Sequence, residues 1–167
     1  MVCLFPTLES AMDFDGEIQT RRILIPNRTD IFGDQYVMDG NDEIIDVEPH
    51  LLSNATTVSV EEAPALAARF GGVCYPAHID RQANGIIATL GFLPPDMHFS
   101  TVELHDGDKE AEYRQSHIGD ATRVVIGSDA HVLWDISEKG AWLEIPDEPY
   151  SSALVRANLI ELLRRGL

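Results

Sequence analysis

The sequence predicts an α/β fold of mainly parallel strands with covering helices. Short apolar runs alternate with helix-like stretches, the pattern of a parallel sheet wrapped by helices. The run Arg123-Val124-Val125-Ile126-Gly127 is β-branched and lacks polar alternation, as a strand covered on both faces requires. With 167 residues, 44% of them apolar, the chain can fill one ordinary core, and it shows no internal repeat or pooled linker. One compact unit is expected.

Taken in order, residues 2–5 form a short strand candidate. The stretch 30–48 carries Asp30, Asp34, Asp39, Asp42, Glu43, Asp46 and Glu48 with Gly33 and Gly40, and it predicts a solvated loop. Asp39, Asn41 and Glu43 imitate the start of a calcium loop but lack the closing bidentate acid. Ser59-Val60-Glu61-Glu62 has capping-box spacing, and Val60, Ala63, Ala67 and Phe70 then recur at helical intervals until Gly71 stops the helix. Pro64 lies early enough to shift its start. Residues 73–77 predict a strand that Pro76 ends, because proline cannot donate to a ladder. Residues 101–104 and 141–145 are weaker strand candidates, and 123–127 is the central one. Val155, Leu159, Leu162 and Leu163 make the apolar stripe of a last helix, with Arg164 and Arg165 complementing its dipole and Gly166 ending it.

Charge narrows the function. Lys plus Arg is 12 against 28 for Asp plus Glu, a net −16 that disfavours a free-standing nucleic-acid binder. No apolar run approaches the roughly 20 residues of a membrane span, and Met1-Val2-Cys3-Leu4-Phe5-Pro6 has no basic leader pattern, so a soluble cytoplasmic protein is expected with no membrane partner. Cys3 and Cys74 sit in apolar runs and read as buried free thiols that pack rather than react.

The strongest chemical signal is Ile126-Gly127-Ser128-Asp129-Ala130-His131. A carboxylate and an imidazole at the tip of an apolar strand are costly unless something pairs with them, and the period of two puts Asp129 and His131 on one side. The second is Pro76-Ala77-His78-Ile79-Asp80-Arg81, again where an apolar strand turns polar. Sites assemble at the carboxyl ends of parallel strands, so His78, Asp129 and His131 are candidate ligands for one divalent metal, Zn, Mn or Fe, with a metal-bound water as nucleophile. Against this stands the ordinary reading of a lone strand-end histidine as a structural residue. Arg81 either holds a phosphate or forms a surface ion pair. Asp80 and Glu103 rank just below these, while His50, His98, His105 and His117 read as surface or packing residues. No P-loop, dinucleotide loop or G-x-S-x-G elbow is present, and Cys74 has no cationic neighbour in sequence to activate it.

The segment Gly71-Gly72-Val73-Cys74-Tyr75-Pro76-Ala77-His78-Ile79-Asp80-Arg81, then Leu90-Gly91-Phe92 and Ile126-Gly127-Ser128-Asp129-Ala130-His131, resembles the carboxyl-terminal half of PHP domains, the polymerase and histidinol phosphatase superfamily. Val2-Cys3-Leu4-Phe5-Pro6 and Gly33-Asp34-Gln35 resemble that family's middle region, so the likeness covers nearly the whole chain. It implies a distorted β/α barrel, here a partial one, and metal-dependent hydrolysis of a small-molecule phosphate ester. His78, Asp129 and His131 match metal-ligand positions, and Arg81 matches a position near the site. The family's opening H-x-H strand, Asp-His pair and glutamate have no counterpart, and 167 residues fall short of the roughly 250 of a whole barrel. Residues 1–167 are therefore expected to be a single truncated domain whose amino-terminal metal-binding part is absent. Exposed strand edges then favour a homodimer. The alternative is a non-catalytic half-domain acting through self-association or through a partner that completes it.

Overall fold

The chain runs through β1 (Val2–Leu4), α1 (Leu8–Arg21), α2 (Thr29–Phe32), β2 (Tyr36–Met38), β3 (Ile44–Val47), α3 (Glu62–Arg69) and β4 (Val73–Tyr75). It continues through α4 (Ile86–Leu90), β5 (Thr101–Leu104), α5 (Glu110–Ser116), β6 (Arg123–Ile126) and α6 (Ser152–Arg165). This computed structural model describes every residue except 95, 96, 98, 139, 149 and 150, and the surface or packing role expected for His98 falls outside the described residues. The chain divides into two compact units, Met1–Phe14 with Val60–Leu167, and Asp15–Ser59.

The expected partial barrel of mainly parallel strands does not form. Among the described residues the strands make three sheets of two each: β1–β4 and β2–β3 are antiparallel, β5–β6 is parallel, and no barrel closes. Two physical reasons are visible. The connection from β1 to β4 is long, so nothing imposes the parallel crossover of a βαβ unit. Pro76 then cuts the β4 ladder short. Beyond it two backbone bonds, Glu103 N donating to Pro76 O at 3.0 Å and Ile79 N donating to Glu103 O at 2.9 Å, tie the end of β4 to β5.

Within the larger unit, β5 carries the most deeply buried side chains of the strands, at Thr101, Val102 and Leu104. Val102 and Leu104 pack with Ile79, Phe99 and Ile118, and Thr101 donates its hydroxyl to Leu163 O at 2.7 Å. A second cluster joins Val73 and Tyr75 of β4 to Ile160 and Leu163 of α6. Alternate residues of β6 serve the two clusters: Val124 and Ile126 face the first and Val125 the second. The end of α6 is fixed by Arg164, which donates to Gly71 O at 2.6 Å and Gly72 O at 3.1 Å.

α3 starts at Glu62, later than the Ser59 capping box implies. Pro64 fits the first turn, where its missing N–H would lack an intrahelical partner anyway. Gly71, at φ +73°, takes the left-handed turn that leads into β4. Residues 141–145 form no strand. Trp142 is 79% exposed, so their apolar side chains have no surface to cover.

In the unit Asp15–Ser59 the expected solvated loop is instead α2 followed by the β2–β3 hairpin. The acids mark its turn: the Asp39 carboxylate accepts from Asn41 N at 2.8 Å and Glu43 N at 3.0 Å, closing an Asx-turn, while the flanking Tyr36-Val37-Met38 and Ile44-Ile45 are strand formers. Gln35 holds the hairpin base, its amide donating to Glu48 O and His50 O and its oxygen accepting from Leu52 N.

Candidate functional site

The polar ends of β4, β5 and β6 are brought together although the sheet is not continuous. Asp80, following β4, has a side chain only 1% exposed. Its two oxygens accept from His105 N at 2.7 Å and Asp106 N at 2.9 Å, so the turn after β4 holds the backbone after β5. Lys109 Nζ lies 4.0 Å from the same carboxylate.

Glu103 makes the matching link toward β6. Its Oε1 accepts from His78 N at 3.1 Å, and its carboxyl group occupies the space that Gly127 leaves free. A Cβ at 127 would stand 2.7 Å from Glu103 Cδ and 2.8 Å from Oε2, closer than real contacts allow, so any side chain before Ser128-Asp129 has to push the Glu103 carboxylate aside. Nearby, burial, and after it the charge of Glu103, pushes the Tyr75 hydroxyl up to about 12.

Asp129 is the focus of the charged cluster. Arg81 Nη2 approaches its Oδ2 at 3.3 Å and His131 Nε2 its Oδ1 at 3.5 Å. The His131 ring is 80% exposed, whereas the carboxylate is mostly covered. Asp129 has φ +48° and His78 φ +29°, a left-handed backbone that a non-glycine residue adopts at a cost on the order of 1 kcal/mol. Both strained residues stand at strand ends and both are predicted ligand positions, and strain of this kind gathers at functional sites.

An open cleft of about 620 Å³ lies over these ends, lined by Arg81, His105, Asp106, Ser128, Asp129 and His131 among others. Three of the four sequence-predicted site residues, Arg81, Asp129 and His131, therefore meet. His78 is not on this lining, and its Nδ1 is buried without a hydrogen-bond partner among the described residues. His105 and Asp106, which sequence reasoning passed over, do line the cleft. The signal was available: a polar pair directly after the strand candidate 101–104 repeats the pattern of His78 after β4.

The donor chemistry, imidazole nitrogen with carboxylate oxygen, suits Zn, Mn or Fe. Its placement does not: among the described residues no three His, Cys, Asp or Glu side chains converge as a set able to hold a metal ion. Arg81 and His131 instead occupy the two oxygens of Asp129. Among the described residues no helix is long and apolar enough to cross a membrane. Comparison of the chain with protein-family models, curated proteins and solved structures returns no match.

Proposed function

We propose that the cleft at the ends of β4, β5 and β6 is the phosphate-ester site of a PHP-type phosphoesterase domain. The observation that carries this reading is the meeting of Arg81, Asp129 and His131 around one open cleft, with backbone strain at Asp129 itself. Arg81 is the group that engages the ester's phosphoryl oxygens, since a guanidinium offers paired N–H donors to phosphate as it does to a carboxylate. Asp129 positions that guanidinium and orients His131. The exposed imidazole of His131 is placed to give or take a proton at the scissile oxygen. Zn, Mn or Fe is the cofactor that the resemblance implies. The described side chains do not form its holder, so no step here passes through it.

Hydrolysis of p-nitrophenyl phosphate by the purified chain, with and without added manganese or zinc, tests the reading. Turnover that falls at least tenfold in Asp129→Asn supports it. A wild-type chain that neither turns over the ester nor binds inorganic phosphate by calorimetry overturns it.

A second reading is favoured by one observation. Both oxygens of Asp129 already have partners, and the cleft lining sets the single cation of Arg81 against Asp106, Asp129 and Asp135. A phosphate dianion approaching such a lining meets net negative charge. On this reading the chain is a non-catalytic domain completed by a partner, and metal-free, inert protein is the result that selects it.

A further inference from the structure

We propose that Cys3 and Cys74 are a redox pair: two thiols directly opposite each other on β1 and β4, which close to a disulfide when a small disulfide oxidant reaches them. The ladder register sets Cys3 against Cys74, with Val2 against Tyr75 and Leu4 against Val73 on either side. Directly opposed side chains in an antiparallel pair point to the same side of the sheet. Their Cα atoms stand about 4.5 or 5.5 Å apart, depending on which of the two pair types they occupy. Both separations fall inside the roughly 4.4–6.8 Å that a disulfide spans, so the bond needs no movement of either strand.

The chemistry of the two sulfurs differs. Both are free thiols, Cys3 half-buried and Cys74 buried. The hydrogen bond between them lowers the Cys3 thiol and raises that of Cys74, so Cys3 is the more readily ionised of the two and the better placed to attack. Access exists as well. Cys74 lines an open cavity of about 550 Å³ beside Pro64, Ala65 and Ala68, and Cys3 as a residue is only half-buried.

With glutathione disulfide as oxidant, the Cys3 thiolate attacks one sulfur, the oxidant's S–S bond breaks, and one glutathione leaves as thiolate. That thiolate takes the Cys74 proton. The Cys74 sulfur then attacks Cys3 Sγ in the mixed disulfide and expels the second glutathione, which is protonated from solvent. The two cysteines together lose two electrons, and the oxidant becomes two thiols. The product joins β1 covalently to the strand that leads into His78 and Arg81, closing a loop that contains the whole segment 15–59.

The test uses the full chain incubated with glutathione disulfide, followed by intact mass measurement and thiol counting in denaturant. The expected result is a mass lower by two hydrogens, no free thiol, and a single-chain species on a non-reducing gel that dithiothreitol restores. Cys74→Ser should retain one glutathione adduct on Cys3, because the resolving partner is gone, whereas Cys3→Ser, which lacks the attacking sulfur, should keep Cys74 as a free thiol. Wild-type protein that keeps both thiols free, carries two separate glutathione adducts, or forms bonds only between chains would overturn the proposal.

Discussion

Asp80→Ala is the substitution that most directly tests how the strand ends are held together. The carboxylate is 1% exposed and accepts the backbone N–H groups of His105 and Asp106 at 2.7 and 2.9 Å. Removing it strips two covered donors of their acceptor. Each stranded donor costs about 1–3 kcal/mol, at the upper end where the lost acceptor was charged, so Asp80→Ala should destabilise the protein by roughly 3–5 kcal/mol. Lys109, at 4.0 Å and 43% exposed, contributes little to this figure. Asp80→Asn retains one acceptor oxygen but turns an amide NH2 toward the second N–H, and about 2–3 kcal/mol is expected. Urea unfolding followed by circular dichroism reads both values as shifts of the midpoint at constant slope. Amide exchange at His105 and Asp106 should quicken in the same variants. A loss under about 1 kcal/mol for Asp80→Ala, or unchanged exchange at those two amides, would refute the role given to this carboxylate.

Three further outcomes follow from the packing. Gly127→Ala forces the Glu103 carboxylate away and costs its bond from His78 N, so a loss of roughly 1–3 kcal/mol is expected by urea unfolding, with the His78 amide signal shifted by NMR. Leu163→Ala empties a site 1% exposed between β4 and α6 and should cost roughly 2–5 kcal/mol, measured the same way. Tyr75 ionises at about 12 in the folded chain against 10.0 for an ordinary tyrosine. The unfolded chain therefore releases this proton first, and the stabilisation, complete below pH 10, is lost as pH rises through 12. Tyr75→Phe should remove that part of the alkaline loss, as read by unfolding midpoints taken across this range.

The sequence was legible where one local signal dominated. Residues 123–126 are a strand because three β-branched side chains leave few other conformations, and α6 follows its apolar stripe to the arginines of its last turn. The β2–β3 hairpin was hidden by its own turn. Seven acids between residues 30 and 48 outweigh Tyr36-Val37-Met38 and Ile44-Ile45 in any compositional count, yet Asp39 is acidic because its carboxylate ties off the turn that pairs those strands. Strand direction was not legible at all. A three-residue apolar run such as Val2–Leu4 is the same in a parallel or antiparallel ladder, and the choice rests on contacts made far along the chain with Val73–Tyr75.

The candidate site divides along the same line between local and distant information. Asp129 and His131 could be read as partners because a single residue separates them in sequence, and the structure sets them 3.5 Å apart. His78 could be associated with them only by assuming that its strand joined a continuous parallel sheet. Pro76 ends that ladder, and the backbone N–H of His78 is directed at Glu103 while Arg81, three residues on, reaches Asp129. The cation beside Asp129 is thus a guanidinium supplied by the same strand end. Any reaction at this cleft must either displace Arg81 from Asp129 or use it where it stands. Arg81→Met separates these cases, because it removes the charge while leaving an apolar stem of similar reach. Ester turnover that rises in this variant on adding manganese or zinc marks Arg81 as a competitor for the carboxylate, whereas a turnover lost at every metal concentration marks it as the group that holds the phosphate.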